Sequence, residues 1–297
     1  MSGPTVLGID FGGTKIALAT ATTAGRLLRR RTLETRAGDG ARAAIERTLT
    51  AARRLIEETG GGHPVAVGVS TFGVVQGARV VLAPNVPGWE EQPLPRLLEE
   101  GLKAPALLLD NDVNAAAAAE VRWGRLAGVG VGLYVNAGTG LGAGIVLDGR
   151  VLRGANGAAG EIGYSLSSPA QPGHAAGRAP LEEYASGSGL ALRGARLLGR
   201  DVTAAELFGL RDDPRVAGLL DEALDRLGMA VANLAIALDA GRVVLGGGMA
   251  AEPSLVARLG ALLAAAVPFP PEVGLARFTG DASLMGALAL ALDAKPP

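Results

Sequence analysis

The chain has no cysteine, two histidines, three lysines and almost no net charge. Without cysteine there are no disulfides, thiolate nucleophiles, iron–sulfur clusters or thiolate zinc sites. Two histidines leave little for imidazole catalysis or a multi-histidine metal site. The 28 basic and 29 acidic residues sum to −1, which argues against nucleic acid as a partner, since such proteins carry a basic footprint. The chemistry therefore rests on carboxylates, hydroxyls, amides and backbone N–H groups. Lys15, Lys103 and Lys295 stand against 25 arginines, a bias to which no function is assigned. No signal peptide is expected, since MSGPTVLGID has neither a basic start nor a long apolar stretch. Gly128–Leu147 is 20 residues without charge, long enough for a membrane span. Its centre, Asn-Ala-Gly-Thr-Gly, reads instead as a turn between two strands. The expectation is a soluble, cytoplasmic protein with no membrane partner.

What is present is a core. The chain has 297 residues, 48% apolar, with 45 glycines, enough for one large or two ordinary domains. Val6–Asp10 reads as a strand, Asp10–Lys15 (DFGGTK) as a tight turn and Ile16–Thr20 as a second strand. Leu27–Leu33 could be a third. Ala41–Thr59 has helical apolar spacing, Val65–Val69 returns to strand, and Pro84–Pro95 reads as a loop. Ala106–Leu109 is a strand whose end, Asn111-Asp112, opens a helix over Val113–Arg122. The strand–turn–strand pattern recurs about 125 residues on, at Gly132–Asn136, Ala137–Gly140 and Ala143–Leu147. Residues 165–180 form a loop, with helices expected near Leu181–Leu198, Val216–Leu238 and Ser254–Ala266, and a strand at Val243–Leu245. The Gly286–Leu292 end reads as a helix that packs back on the first half. The repeat predicts two related α/β domains facing each other across a cleft, a favoured place for ligands. The bland alternative is one doubly wound domain whose glycines are only turns.

Phosphate needs several N–H donors at short range, and glycine lets backbone approach without a Cβ. DFGGTK and NAGTG each offer consecutive N–H groups and a threonine hydroxyl. Asp10 at a strand end could hold Mg²⁺ directly or through water. There is no Walker A Gly-Lys pair and no GxGxxG opening a helix after a strand. Asp112 reads locally as a helix N-cap, and functionally as a general base on a substrate hydroxyl. Glu161, Glu182 and Asn85 offer the carboxylates and amide that sugar hydroxyls bind. Equally, they fit solvated surface or turn residues. His63 and His174 read as surface residues. Gly246–Gly248 fits a strand-to-helix turn or a wall for an adenine ring.

Together these segments resemble the ROK family of sugar kinases and repressors, glucokinase-like members above all. The match runs through LGIDFGGTKIALA at 7–19, APNVPGW at 83–89, LDNDVNAAAAAE at 109–120, residues 136–164, LEEYASG at 181–187 and VVLGGGMA at 243–250. The resemblance implies a two-domain, actin-like and hexokinase-like (ribonuclease H-like) α/β fold with ATP and sugar in the interdomain cleft. It divides the chain into 1–112 plus 286–297 and 113–285. Asp10, Gly12, Gly13, Thr14 and Lys15 would lie at the phosphates, with Asp10 at Mg²⁺. Gly138, Thr139 and Gly140 would form the second phosphate loop, and Gly246, Gly247 and Gly248 the adenosine wall. Gly73, Asn85, Asn111, Asp112, Glu161, Tyr164 and Glu182 would meet the sugar, with Asp112 the base. A homodimer is also implied.

The family's usual structural zinc motif is missing. Its histidine position holds Tyr164, and its cysteine positions fall on Gly173, Ala175 and Pro180. No zinc is expected, and His174 alone cannot rebuild the site. GVSTFG at 68–73 lacks the proline of glucokinase-like members and leans towards fructokinase-like or acylaminosugar-kinase-like ones. The expectation is an ATP- and Mg²⁺-dependent hexose kinase, glucose by default. The alternatives are a kinase for fructose or an N-acetylated hexosamine, or a non-catalytic sugar-binding or sugar-sensing regulator. Family repressors carry an N-terminal DNA-binding extension, and a first strand near residue 5 is read as leaving no room for one. An actin-like filament ATPase would not need the Asn85, Asn111, Glu161 and Glu182 set.

Overall fold

The computed structural model describes residues 3–60 and 62–294. The chain divides into two compact units: the first runs to Arg122 and takes in Arg153–Ala158 and the chain from Asp281 on, while the second holds Trp123–Leu152 and Ala159–Gly280.

In the first unit β1 (Thr5–Phe11), β2 (Lys15–Thr22) and β3 (Leu27–Glu34) form an antiparallel meander. After α1 (Ala41–Thr59) come β4 (Ala66–Thr71) and the short hairpin β5 (Val74–Gln76) and β6 (Arg79–Val81). Then follow α2 (Leu94–Leu102), β7 (Leu107–Asn111) and α3 (Asp112–Trp123). The sheet order is β3-β2-β1-β4-β7, with β4 parallel to both β1 and β7. Strands covered on both faces read as continuous apolar runs, and β1 and β4 do so. The edge strand β3 instead carries Arg29, Arg30 and Arg31, charge that discourages edge pairing.

One sheet face, with Leu7, Ile9, Val67 and Val69, packs with Ile45 and Leu55 of α1 and Leu98 of α2 in one core. The residues between them face the other way. There the C-terminal helix, Ala282–Asp293, comes so close that a Cβ on Gly68 would lie 1.9 Å from the Ala287 carbonyl oxygen. The packing of this helix on the first half, expected from sequence, is thus present.

In the second unit β8 (Val131–Ala137), β9 (Leu141–Leu147) and β10 (Arg150–Val151) form another meander. The segment weighed as a membrane span is this hairpin of two strands, and no described helix is long and apolar enough to cross a membrane. After it come α4 (Pro180–Ala185), α5 (Gly187–Leu198), α6 (Ala204–Gly209) and α7 (Pro214–Leu238). The chain continues with β11 (Arg242–Gly246), α8 (Pro253–Ala266) and β12 (Glu272–Leu275). The order β10-β9-β8-β11-β12, with β11 parallel to β8 and β12, repeats that of the first sheet. The core gathers Leu133, Val135, Leu245, Leu220, Leu227 and Leu259.

Two expectations change. The segment near 181–198 is two helices, because Ser186 has extended backbone and its hydroxyl accepts the Gly189 N–H at 3.0 Å, starting a new helix. The Pro84–Pro95 loop ends early, at Leu94, where Pro95 sits in the first turn of α2 and tolerates its missing N–H.

Candidate functional site

In the first unit the candidate residues gather at the C-terminal ends of parallel strands, where open α/β sheets bind ligands. The register sets Asp10 of β1 beside Ser70 of β4, and Thr71 of β4 beside Asn111 of β7. Ser70 donates its hydroxyl to Asp10 at 2.8 Å. Burial, and then the Asp112 charge, push the Asp10 carboxyl from 3.8 to about 6, against the pull of the Ser70 hydrogen bond and the Lys15 and Arg30 charges.

The turn beyond β1 is closed by the Gly12 N–H on the Lys15 carbonyl at 3.0 Å. Two more of its carbonyls are engaged by Thr35, whose hydroxyl donates to Gly12 O at 2.6 Å and whose N–H donates to Thr14 O at 2.9 Å. A Cβ on Gly13 would come 3.3 Å from the Asn85 Nδ2, so the APNVPGW loop lies against this turn. Trp89 anchors that loop. Its ring is 1% exposed, packs 5.1 Å from Phe11 and 4.8 Å from Phe72, and donates its N–H to Thr71 Oγ1 at 3.2 Å. Gly73 has φ 83°, and a Cβ there would sit 2.7 Å from that of Ala83, so its position answers first to packing.

The structure corrects the local reading of Asp112. Asn111, not Asp112, caps α3, since its Oδ1 accepts the Asn114 N–H at 2.7 Å. Asp112 is the first helical residue, where the positive end of the helix favours a carboxylate. Asp110 underpins the junction. It is 4% exposed and accepts the Asn111 N–H and Asn114 Nδ2, each at 2.9 Å, and the Arg153 Nε at 2.7 Å. Sequence reasoning passed over Ser70, Trp89 and Asp110. Only Asp110 left a signal, as a third polar residue in LDNDVN.

In the second unit the Gly138–Gly140 turn follows β8, with the Gly138 N–H on Gly140 O at 3.1 Å. The start of α5 docks on it: the Gly187 N–H donates to Gly138 O at 2.8 Å and the Ser188 N–H to Thr139 O at 3.1 Å. Glu182 on α4 braces the far side, its Oε2 accepting the Leu141 N–H at 2.9 Å. Burial and the charges of Glu161 and Glu182 raise the Tyr164 hydroxyl above its ordinary range, so these three residues lie together. The exposed His174 packs edge-on against Tyr164 at 5.3 Å.

The three glycines after β11 separate. A Cβ on Gly246 would lie 2.2 Å from the Tyr134 hydroxyl, and Gly247 has φ 85° with Ala137 O at 2.5 Å from its would-be Cβ. Both serve packing. Gly248 alone opens on a cavity of about 420 Å³, shared with Gly138, Thr139, Ser188, Phe208 and Glu252.

Similar proteins agree with one another. The family model described as the ROK family matches residues 6–294. A glucokinase of Halalkalibacterium halodurans is 34% identical over 84% of this chain and 82% of that protein. An N-acetylmannosamine kinase of Escherichia coli strain SE11 is 31% identical over 98% and 99%. The crystal structure of a ROK hexokinase from Thermus thermophilus superimposes with a TM-score of 0.84, at 35% identity and 97% coverage of both chains. That of a ROK family glucokinase from Streptomyces griseus, in complex with glucose and AMPPNP, gives 0.76 at 28% identity, covering 97% and 99%.

Proposed function

Because this chain belongs to the ROK family, we propose that it transfers the γ-phosphoryl group of ATP to a hexose hydroxyl, with glucose as the default acceptor and Asp112 as the base. It is a sugar kinase with the actin-like, hexokinase-like α/β fold. The observation that carries the residue assignment is the cap. Asn111 caps α3 through the Asn114 N–H, which sets Asp112 at the first helical position of a strand-end cluster with Asp10 and Ser70, where its Oδ1 accepts the Val113 N–H at 3.0 Å.

The reaction needs few covalent parts. The acceptor oxygen attacks the γ-phosphorus, the bond to the ADP oxygen breaks, and the hydroxyl proton passes to Asp112. A carboxylate at a helix N-terminus is a weak base. Phosphoryl transfer tolerates this, since positioning and charge neutralisation supply most of the catalysis. In the first unit Asn85, Asn111 and Asp112 hold the sugar, with Gly73 shaping the wall. In the second unit, Glu161, Tyr164 and the unbraced oxygen of Glu182 are assigned to sugar hydroxyls. Gly12, Gly13, Thr14 and Lys15 serve the phosphates, as do Gly138, Thr139 and Gly140. Gly248 faces the adenosine, and Gly246 and Gly247 hold it there by their close packing on Tyr134 and Ala137.

Mg²⁺ suits Asp10. One oxygen accepts from Ser70, and the carboxylate makes no ion pair among the described residues, so an acceptor site remains for an oxygen-loving cation that keeps its waters. The ion would supply neutralisation of triphosphate charge. No zinc is assigned to the Tyr164–Pro180 segment. The protein works in the cytoplasm as a homodimer, a state light scattering would check.

The acceptor is tested by a coupled ADP-release assay over glucose, fructose, N-acetylglucosamine and N-acetylmannosamine. Turnover on at least one is expected, and the similarity to the N-acetylmannosamine kinase puts that sugar beside glucose in the panel. Clean sugar binding without turnover on any of them would overturn the kinase reading in favour of a sugar-binding regulator.

A further inference from the structure

The cavity at Gly248 holds a charged group that neither the phosphate turn nor the fold uses. Thr203, on its rim, is consumed by a capping box: its hydroxyl accepts the Glu206 N–H at 3.2 Å, and Glu206 answers its N–H at 2.7 Å. Glu252 stands between the four-residue turn Gly248–Ala251 and α8, yet its side chain caps neither. Its carboxylate makes no hydrogen bond or ion pair among the described residues, although it is only partly exposed and lines the cavity. Burying part of a charge without a partner costs free energy that a ligand can return. Much of the remaining lining is apolar: Phe208 and Met249, 8% and 6% exposed, with Ala191 and Ala204. It carries no amide or guanidinium to read the edge of a base.

A carboxylate repels phosphate and accepts from hydroxyls, and its two oxygens suit a vicinal diol. Thr139 lines the same cavity, so a nucleotide with its phosphates on the Gly138–Gly140 turn brings its pentose into the space Glu252 faces. We propose that Glu252 accepts the 2′- and 3′-hydroxyls of the donor's ribose, so that this site selects ribonucleotides by the sugar while the base is held by apolar contact. The inference rests on the kinase reading, because it takes the phosphoryl donor to be a nucleotide.

Calorimetric titration of the full chain with Mg²⁺ and no acceptor sugar tests it, using ATP and 2′,3′-dideoxyATP. Wild type should bind ATP about ten- to hundred-fold more tightly than the dideoxy analogue, the usual worth of hydrogen bonds to a charged group. Glu252→Ala should lose that margin on ATP and leave the dideoxy analogue within about threefold, the double-mutant signature of a direct contact. Glu252→Gln, which keeps one acceptor and the shape, should fall between. Equal binding of the two nucleotides by wild type, or equal losses on both in Glu252→Ala, would overturn the assignment while leaving the kinase reading intact. A wild type that binds neither nucleotide would overturn both.

Discussion

The two units are the same frame with opposite chemistry at the strand ends. Each has a three-stranded meander joined to two further parallel strands, and each leads its first strand into a glycine turn. In the first unit that strand carries Asp10 one residue before its end, with Ser70 and the Asn111-Asp112 junction on the neighbouring parallel strands. In the second the corresponding residue is Asn136, beside the uncharged Gly246. The frame sets where backbone amides converge, and strand-end side chains set what the amides serve. A charged end suits proton and cation work, a neutral end an anionic ligand held by backbone. Even the carboxylates divide this way: Asp10 is pushed up towards neutrality by burial, while Glu182 has one oxygen engaged in bracing a turn.

The division can be broken most sharply at Asp112. Asp112→Asn should lower kcat by about 10²–10⁴-fold and leave ATP binding within about twofold by calorimetry. Loss of nucleotide affinity on the same scale would show that the units do not divide the work. Next comes the anchor peculiar to the first unit. Trp89→Ala should cost about 3–5 kcal/mol in urea unfolding and raise KM for the sugar more than for ATP, because Asn85 loses its support.

The Asp10 carboxyl allows a pH test. Its folded value, about 6, lies above the ordinary 3.8, so the protonated form is favoured in the native state. Stability from this group is fully present below about pH 4 and is lost as pH rises through about 6. The gap corresponds to about 3 kcal/mol. Asp10→Asn, which keeps the Ser70 hydrogen bond, should therefore gain stability on wild type across that window in metal-free buffer. A constant difference from pH 4 to pH 7 would refute it. The smallest effect belongs to the second unit: Gly247→Ala, at φ 85°, should cost about 1–3 kcal/mol through backbone strain and weaken ATP without touching sugar binding.

Much of this was legible from residues alone. DFGGTK and NAGTG announced strand–turn–strand units, and the alternation of apolar runs with glycine fixed their spacing. The division of labour between Asn111 and Asp112 was not legible, because both residue types cap helices. Only the register of β7 against β4 settles which one stands at the last strand position. The break at Ser186 was hidden for a similar reason, since apolar periodicity continues across it and only the backbone at the serine departs from helix. Among Gly246, Gly247 and Gly248, sequence treats three identical residues alike, while packing by Tyr134 and Ala137 leaves just one facing a cavity. Glu252 carried no signal, being one acid before a proline at a helix start.

The close approach of Ala282–Asp293 to Gly8 and Gly68 has a consequence for the order of events on the ribosome. The second unit is encoded between the long first segment of the first unit and the C-terminal helix that completes it, interrupted only by Arg153–Ala158. Its sheet can close while the apolar back of β1 and β4 still waits for the helix that covers it. The segment made first is thus the last to be finished, and during elongation its exposed strand face is the part of the nascent chain that most needs a chaperone.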